Sequence, residues 1–211
     1  MVLIRGLPME VHQTGELLSN HILREQDFFE AEILDYLRDN HPEHTTIIDI
    51  GANIGNHTLY FARYLQYQQI IAFEPLQENW ELLVKNCRQY RKILYMRNAL
   101  TDSAKRLTIR PNRGNMGASE VVEVAQEGDV TVDGYPLDYF LPVILDCTLI
   151  KIDVEWHEPQ VIMGAQQVIQ TFHPLILIED ARKEYGPLLP DYECIKEWDH
   201  HKTYLYKWRG A

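Results

Sequence analysis

Five short apolar runs, rich in β-branched residues, recur between segments of helical periodicity: Thr45–Ile50, Ile70–Phe73, Ile93–Arg97, Thr148–Val154 and Leu175–Ile178. Each is too short for an independent helix, and each is apolar enough to be covered on both faces. The stretches between them, Asn56–Leu65, Gln77–Tyr90 and Glu158–Thr171, place apolar side chains at helical spacing. Strands that alternate with helices in this way predict an α/β fold, a mostly parallel twisted sheet with helices on both faces, whose first half is a βαβαβ unit.

The rest of the chain reads as additions to that sheet. Phe28, Phe29, Ile33, Leu34 and Leu37 predict a helix over Glu25–Arg38 that caps the domain. Leu107–Ile109 and Glu120–Val132 read as shorter strands around a Gly-containing loop at Asn112–Gly117. Near the end, Tyr192–Trp198 and Thr203–Trp208 flank the polar Asp199-His200-His201-Lys202 connection, the pattern of an antiparallel hairpin. At 211 residues, 45% hydrophobic and 24% charged, the chain suits one well-buried core, so residues 1–211 are expected to form a single domain. Residues 1–44 would be an N-terminal cap segment with its helix, and 45–211 the core.

Several function classes are disfavoured at this stage. The apolar start is broken by Arg5, Gly6 and Pro8 and lacks the pattern of a secretion signal. No apolar stretch approaches the roughly 20 residues a membrane helix needs, so a cytoplasmic protein without membrane attachment is expected. Cys87, Cys147 and Cys194 have no paired spacing and read as reduced, buried small hydrophobes. His41 with His44, and His200 with His201, lack a nearby cysteine or carboxylate pattern to complete a zinc motif, so no metal site is expected. A net charge of −11 argues against nucleic acid as a partner. That charge is uneven, however: Lys85 to Arg113 holds nine basic residues against the single acid Asp102. The stretch predicts a locally positive face toward an anionic acceptor, with a solvated helix face as the alternative.

The strongest local signal is Asp49-Ile50-Gly51-Ala52-Asn53-Ile54-Gly55-Asn56, between the first core strand and a helix. Gly51 and Gly55 remove side chains where a ligand would approach the backbone, and the helix N-terminus offers free N–H groups to a carboxylate. Glu74 ends the next strand, where an acid can accept both hydroxyls of a ribose. The dinucleotide-binding fingerprint Gly-x-Gly-x-x-Gly is absent, because Asn53 stands in the middle position.

Taken in order and spacing, Asp49-x-Gly51-x-Asn53-x-Gly55, Phe73-Glu74-Pro75, Asn79 through Asn86, Asn98-Ala99-Leu100, Leu149 to Glu155 with Gly164-Ala165, and Ile178-Glu179 resemble the FkbM methyltransferase family over about Phe28 to Glu179. The resemblance implies a Rossmann-like class I methyltransferase fold and S-adenosylmethionine as methyl donor. Asp49, Gly51, Ala52, Asn53 and Gly55 would surround its methionine end. Glu74, followed by Pro75, would hold the ribose, and Asn98 and Ala99 would flank the adenine. The family's usual Val-Glu-Gly reads Val154-Glu155-Trp156 here, an indole in place of a glycine beside the acceptor.

Lys151, Asp153 and Glu155 alternate, so an extended strand would point all three to one side near its carboxyl end, where ligands bind in open α/β sheets. Glu155 is expected to accept the acceptor's proton and Asp153 to orient donor or acceptor, with His157 as a second candidate base. Glu158 reads as a helix-starting carboxylate, and Glu179-Asp180 as a second acid cluster at the crevice. Asp153 and Glu155 offer oxygen ligands to Mg²⁺, but two carboxylates are not a complete site. The expected acceptor is a hydroxyl of a sugar, glycan or small metabolite, a range that comes from the resemblance. The competing readings are a nicotinamide-dependent oxidoreductase and a non-catalytic module that binds the donor without turnover.

Overall fold

The structure, a computed structural model, describes residues 1–13, 15–179 and 185–210. Thirteen strands, six α-helices and two short 3-10 helices are assigned among them. A tight antiparallel hairpin, β1 (Val2–Ile4) and β2 (Leu7–Met9), opens the chain. Its turn residues Arg5 and Gly6 both have positive φ, as a two-residue hairpin loop requires. Two helices follow, α1 (Leu17–Glu25) and α2 (Ala31–Asn40). The core then runs β3 (Thr46–Ile50), α3 (Asn56–Tyr64), β4 (Gln69–Phe73), α4 (Gln77–Cys87) and β5 (Ile93–Met96).

Next come four short strands, β6 (Ala99–Leu100), β7 (Lys105–Arg110), β8 (Glu120–Val122) and β9 (Val130–Tyr135). The core resumes with β10 (Leu149–Ile152), α5 (Glu158–Met163), α6 (Gln166–Phe172) and β11 (Leu175–Glu179). The hairpin β12 (Tyr192–Trp198) and β13 (Thr203–Trp208) completes the chain.

Seven strands form the main sheet in the order β12-β13-β11-β10-β3-β4-β5. The five central-to-edge strands β11, β10, β3, β4 and β5 are parallel, and β13 enters antiparallel beside β11. The sequence expectation of a parallel sheet closed by a C-terminal hairpin is met. Period-two alternation sorts the core onto two faces. Ile47, Ile70, Leu149 and Leu177 pack with α2, α3, α4 and the first hairpin, while Ile48, Ile71, Ile150 and Ile176 pack with α5 and α6. The middle segment, expected as shorter strands, lies outside the main sheet. It forms a separate sheet, β6-β9-β7-β8, around Leu76, Ala99, Leu107, Ile109, Met116 and Val132.

Three expectations need correction. The helix expected over Glu25–Arg38 begins only at Ala31, since Glu25 is the last residue of a separate α1: Gln26 (φ 53°) ends α1 and Glu30 (φ 58°) precedes α2, both in the left-handed region. Phe28 is buried in the turn between them, so helical spacing of the aromatics misled the period reading. The helix expected over Glu158–Thr171 breaks at Gly164–Ala165, where a Cβ on Gly164 would lie 2.0 Å from the Thr101 carbonyl oxygen. Asp138 accepts hydrogen bonds from the amides of Gln167 and Val168, both at 3.0 Å, and so caps the second piece. Third, Cys87 and Cys147 are buried as expected, but Cys194 is exposed on β12.

Candidate functional site

The carboxyl ends of the parallel strands open onto two adjoining clefts. The first, of about 660 Å³, is lined on the main-sheet side by Gly51, Asn53, Glu74, Pro75 and Asn98, with Ala99 at the start of the small sheet. Ile109, Met116 and Val121 of the four-stranded sheet and its connecting loop form the opposite, apolar wall. The second, of about 560 Å³, adds Ala52, Asn56, His57, Lys151 and Glu179, with Leu17, Leu18 and Phe29 from the N-terminal segment. Gly51, Asn53, Gly117, Asp153 and Glu155 line both clefts, so the two meet there.

The Asp49–Asn56 loop shapes this junction. Gly51 (φ 78°) crosses the end of β10 so closely that a Cβ would lie 1.8 Å from the Asp153 carbonyl oxygen. Asn53 also takes a left-handed backbone (φ 50°) and donates its amide to Glu74 Oε2 at 2.9 Å. Glu74 Oε1 accepts the Leu76 amide, also at 2.9 Å. Burial pushes the Glu74 carboxyl up to about 7, against the pull of these backbone donors. The side-chain oxygen of Asn53 is buried without a hydrogen-bond partner. An orphaned acceptor beside a buried carboxyl with lone pairs to spare is a site prepared for a ligand's donors.

Two motif residues serve the scaffold instead. Asp49 is fully buried beneath the loop and lines neither cleft. Its Oδ2 accepts a 2.5 Å hydrogen bond from Thr58, and Oδ1 lies 3.5 Å from Lys151 Nζ. Gly55 (φ 90°) begins α3 and faces α4, where a Cβ would stand 3.0 Å from Leu83 Cδ1.

At the end of β10 the alternation argument fails, because the strand stops at Ile152 and Glu155 (φ 52°) and Trp156 (φ 74°) turn through the left-handed region. Lys151 and Asp153 do meet, at 3.0 Å, and Lys151 also donates to the Gly51 carbonyl at 2.9 Å. Burial disfavours the ammonium, yet Asp153 and Asp49 outweigh it and hold the Lys151 proton above the ordinary range. Lys151 is therefore an internal clamp joining β3 to β10, which pair in register at Asp49 and Lys151.

Glu155 stands at the junction, its carboxyl pushed up to about 7 by burial and by repulsion from Asp153 and Glu158. Glu158 is buried and accepts the Val154 amide at 3.1 Å, bracing the turn. Half-buried His157 lines the first cleft with Nε2 3.0 Å from Thr101 Oγ1, and burial lowers its pKa. Trp156, 56% exposed, occupies a backbone conformation that glycine adopts without strain. Glu179 lines the second cleft, and burial together with Asp153 and Glu30 pushes its carboxyl well above the usual range. Asp180 lies outside the described residues.

Sequence reasoning missed two members of the second cleft's surroundings. His57, in the first turn of α3, is buried with Nε2 3.1 Å from Oε2 of buried Glu30. Burial alone would raise Glu30, but His57 holds its carboxyl below the ordinary range. His57 follows the glycine loop directly and was legible as a candidate, whereas Glu30 has no local signal. Nor did the sequence reveal the apolar wall, since its residues come from three pieces of the small sheet.

None of the nine basic side chains between Lys85 and Arg113 lines either cleft. Arg110 pairs with Asp129 at 3.0 Å, Arg106 with Asp133 at 3.4 Å, Arg113 with Glu78 at 3.6 Å and Lys105 with Asp102. These four of the nine basic residues are thus each paired with a carboxylate, three of them from outside the stretch. No helix among the described residues is long and apolar enough to cross a membrane.

Comparison with known proteins agrees with this geometry. A hexuronic acid methyltransferase, AglP of Haloferax volcanii, is 24% identical over 151 residues, which cover 70% of this chain and 61% of that protein. The crystal structure of an FkbM methyltransferase from Methylobacillus flagellatus superposes with a TM-score of 0.57 at 21% identity, covering 77% of this chain and 43% of that one. A conserved hypothetical protein of Streptococcus pyogenes gives a TM-score of 0.54 at 7% identity, over 86% of this chain and 96% of the other. This chain therefore spans only part of the length of its sequence relative and of the FkbM structure. Residues 49–206, most of the chain, match the methyltransferase FkbM domain, and the chain belongs to that methyltransferase family.

Proposed function

We propose that the chain methylates a hydroxyl oxygen of a sugar or glycan. The observation that carries this reading is the meeting of the two clefts at Gly51, Asn53, Asp153 and Glu155, which sets a second ligand directly beside the first. Membership of the family implies S-adenosylmethionine as donor, and the first cleft fits it. Glu74 would take the ribose hydroxyls, the apolar wall at Ile109 and Val121 would face the adenine, and Asn53 would bind the methionine end. Bound there, the donor supplies an electrophilic methyl group on a sulfonium.

Methyl transfer is an in-line displacement, so the protein's contribution is to align the acceptor, exclude water and take one proton. Glu155 is the group placed to take it, because a carboxyl near 7 is basic enough to accept a proton at neutral pH and is still deprotonated in part. Asp153, pinned by Lys151, would orient the acceptor beside it. The second cleft is walled by Asp153, Glu155 and Glu179, and its one lysine is already engaged. The sugar class is suggested by the hexuronic acid methyltransferase relative.

The test is a screen of sugars, oligosaccharides and hydroxylated metabolites with labelled methyl donor, comparing wild type with Glu155→Gln. Transfer to a sugar hydroxyl that is lost in the variant supports the reading. Donor binding with no transfer to any hydroxyl acceptor would overturn it.

A further inference from the structure

His200 and His201 sit side by side in the turn between β12 and β13, their ring centroids 4.1 Å apart. No zinc pattern is legible around them in the sequence, but the fold sets the turn against the start of α2. There His200 Nε2 stands 3.4 Å from Glu32 Oε2. One ligand-type atom from each of Glu32, His200 and His201 lies within 4.8 Å of the other two, and among the described residues no other group of this kind comes together.

We propose that Glu32, His200 and His201 form a binding site for a divalent transition-metal ion of the zinc class. Two ligands bonded at about 2.0–2.2 Å to a tetrahedral ion are about 3.4 Å apart, which is the separation His200 and Glu32 already have. Two imidazoles and one carboxylate suit zinc and its neighbours, whereas magnesium and calcium take oxygen ligands. Glu32 and His200 are exposed and free to close by small rotations about an ion.

His201 supplies the independent observation. Its Nδ1 lies 3.5 Å from Oε1 of Glu30, a carboxylate with 3% side-chain exposure, and its ring meets Phe29 edge-on. A carboxylate behind one ring nitrogen would hold the proton there once the other nitrogen bound an ion, the arrangement by which protein-bound metals orient histidine. With three protein ligands the fourth position is left to water. The other oxygen of Glu30 holds His57 on the wall of the second cleft. An ion would therefore tie the hairpin turn, the start of α2 and that wall into one unit, whatever acceptor the cleft takes.

The experiment uses tag-free protein stripped with chelator and titrated with Co²⁺, then with Zn²⁺. The expected result is one Co²⁺ per chain, with the visible absorption of a four-coordinate nitrogen–oxygen site, displaced by Zn²⁺. Zn²⁺ should also raise the unfolding temperature. Glu32→Ala and His200→Ala should each weaken binding at least about tenfold and remove the thermal shift, while circular dichroism confirms that the fold is kept. Absence of a saturable Co²⁺ signal in wild type overturns the proposal. So does a signal that survives unchanged in both variants, because the ion would then sit on other histidines.

Discussion

Replacing Glu74 by glutamine separates the two roles assigned to its carboxyl. In the folded chain that carboxyl titrates near 7 against an ordinary value of 4.5. At about 1.4 kcal/mol per pH unit the difference corresponds to about 3 kcal/mol, and the group is buried enough for solvent screening to be ignored. The folded form holds its proton to higher pH than the unfolded chain. The contribution is therefore greatest below about pH 4.5, declines as pH rises, and is gone above about 7. Glu74→Gln removes the titration but also turns one donor of the new amide toward a backbone N–H of Asn53 or Leu76, costing about 1–3 kcal/mol. Its net stability at any one pH is thus a poor guide. The informative quantity is the stability difference between wild type and variant, measured by urea unfolding at closely spaced pH. That difference should shift by about 3 kcal/mol between pH 4 and 8 in favour of the variant at high pH. Donor affinity should move the opposite way, falling by about 1.5–3 kcal/mol, because ribose hydroxyls lose a charged acceptor. A pH-independent difference, or unchanged calorimetric affinity for S-adenosylmethionine, would refute the reasoning.

Gly51→Ala should be strongly destabilising, by about 3 kcal/mol or more in urea unfolding, since the new Cβ would meet a strand backbone rather than a yielding side chain; a loss under 1 kcal/mol would mean the loop moves freely. Glu155→Gln should keep donor affinity and lower kcat by about 10²–10⁴-fold. In wild type the rate should rise with pH through about 7, and that limb should vanish in the variant; if it persists, the base lies elsewhere. Trp156→Gly should change stability by no more than about 1 kcal/mol, because relief of the left-handed backbone is offset by glycine's greater freedom when unfolded; a large loss in thermal unfolding would show that the indole packs essentially here.

The parallel core was legible because β-branched runs and helical segments alternate with short, clear boundaries, as at Thr46–Ile50 and Asn56–Tyr64. The terminal hairpin was legible for the same reason, its two strands matching the expected Tyr192–Trp198 and Thr203–Trp208. Left-handed residues defeated the reading elsewhere. Gln26, Glu30, Glu155 and Trp156 are none of them glycine, so nothing in the sequence marks the turns they make. The glycine loop and Glu74 could be placed from spacing, whereas Asp49 and Gly55 show that a motif residue can serve the scaffold beneath a site. Glu30, His57 and Glu179 approach one another only through tertiary packing, which a local pattern does not encode.

The central claim is that the first cleft holds the donor with its reactive end at the Asp153–Glu155 junction. A crystal structure with S-adenosylhomocysteine tests it most directly. The account predicts both ribose hydroxyls within hydrogen-bonding distance of Glu74, the adenine against Ile109 and Val121, and the sulfur facing the second cleft between Asn53 and Glu155. A nucleoside bound away from Glu74, or a sulfur directed away from the second cleft, would contradict it.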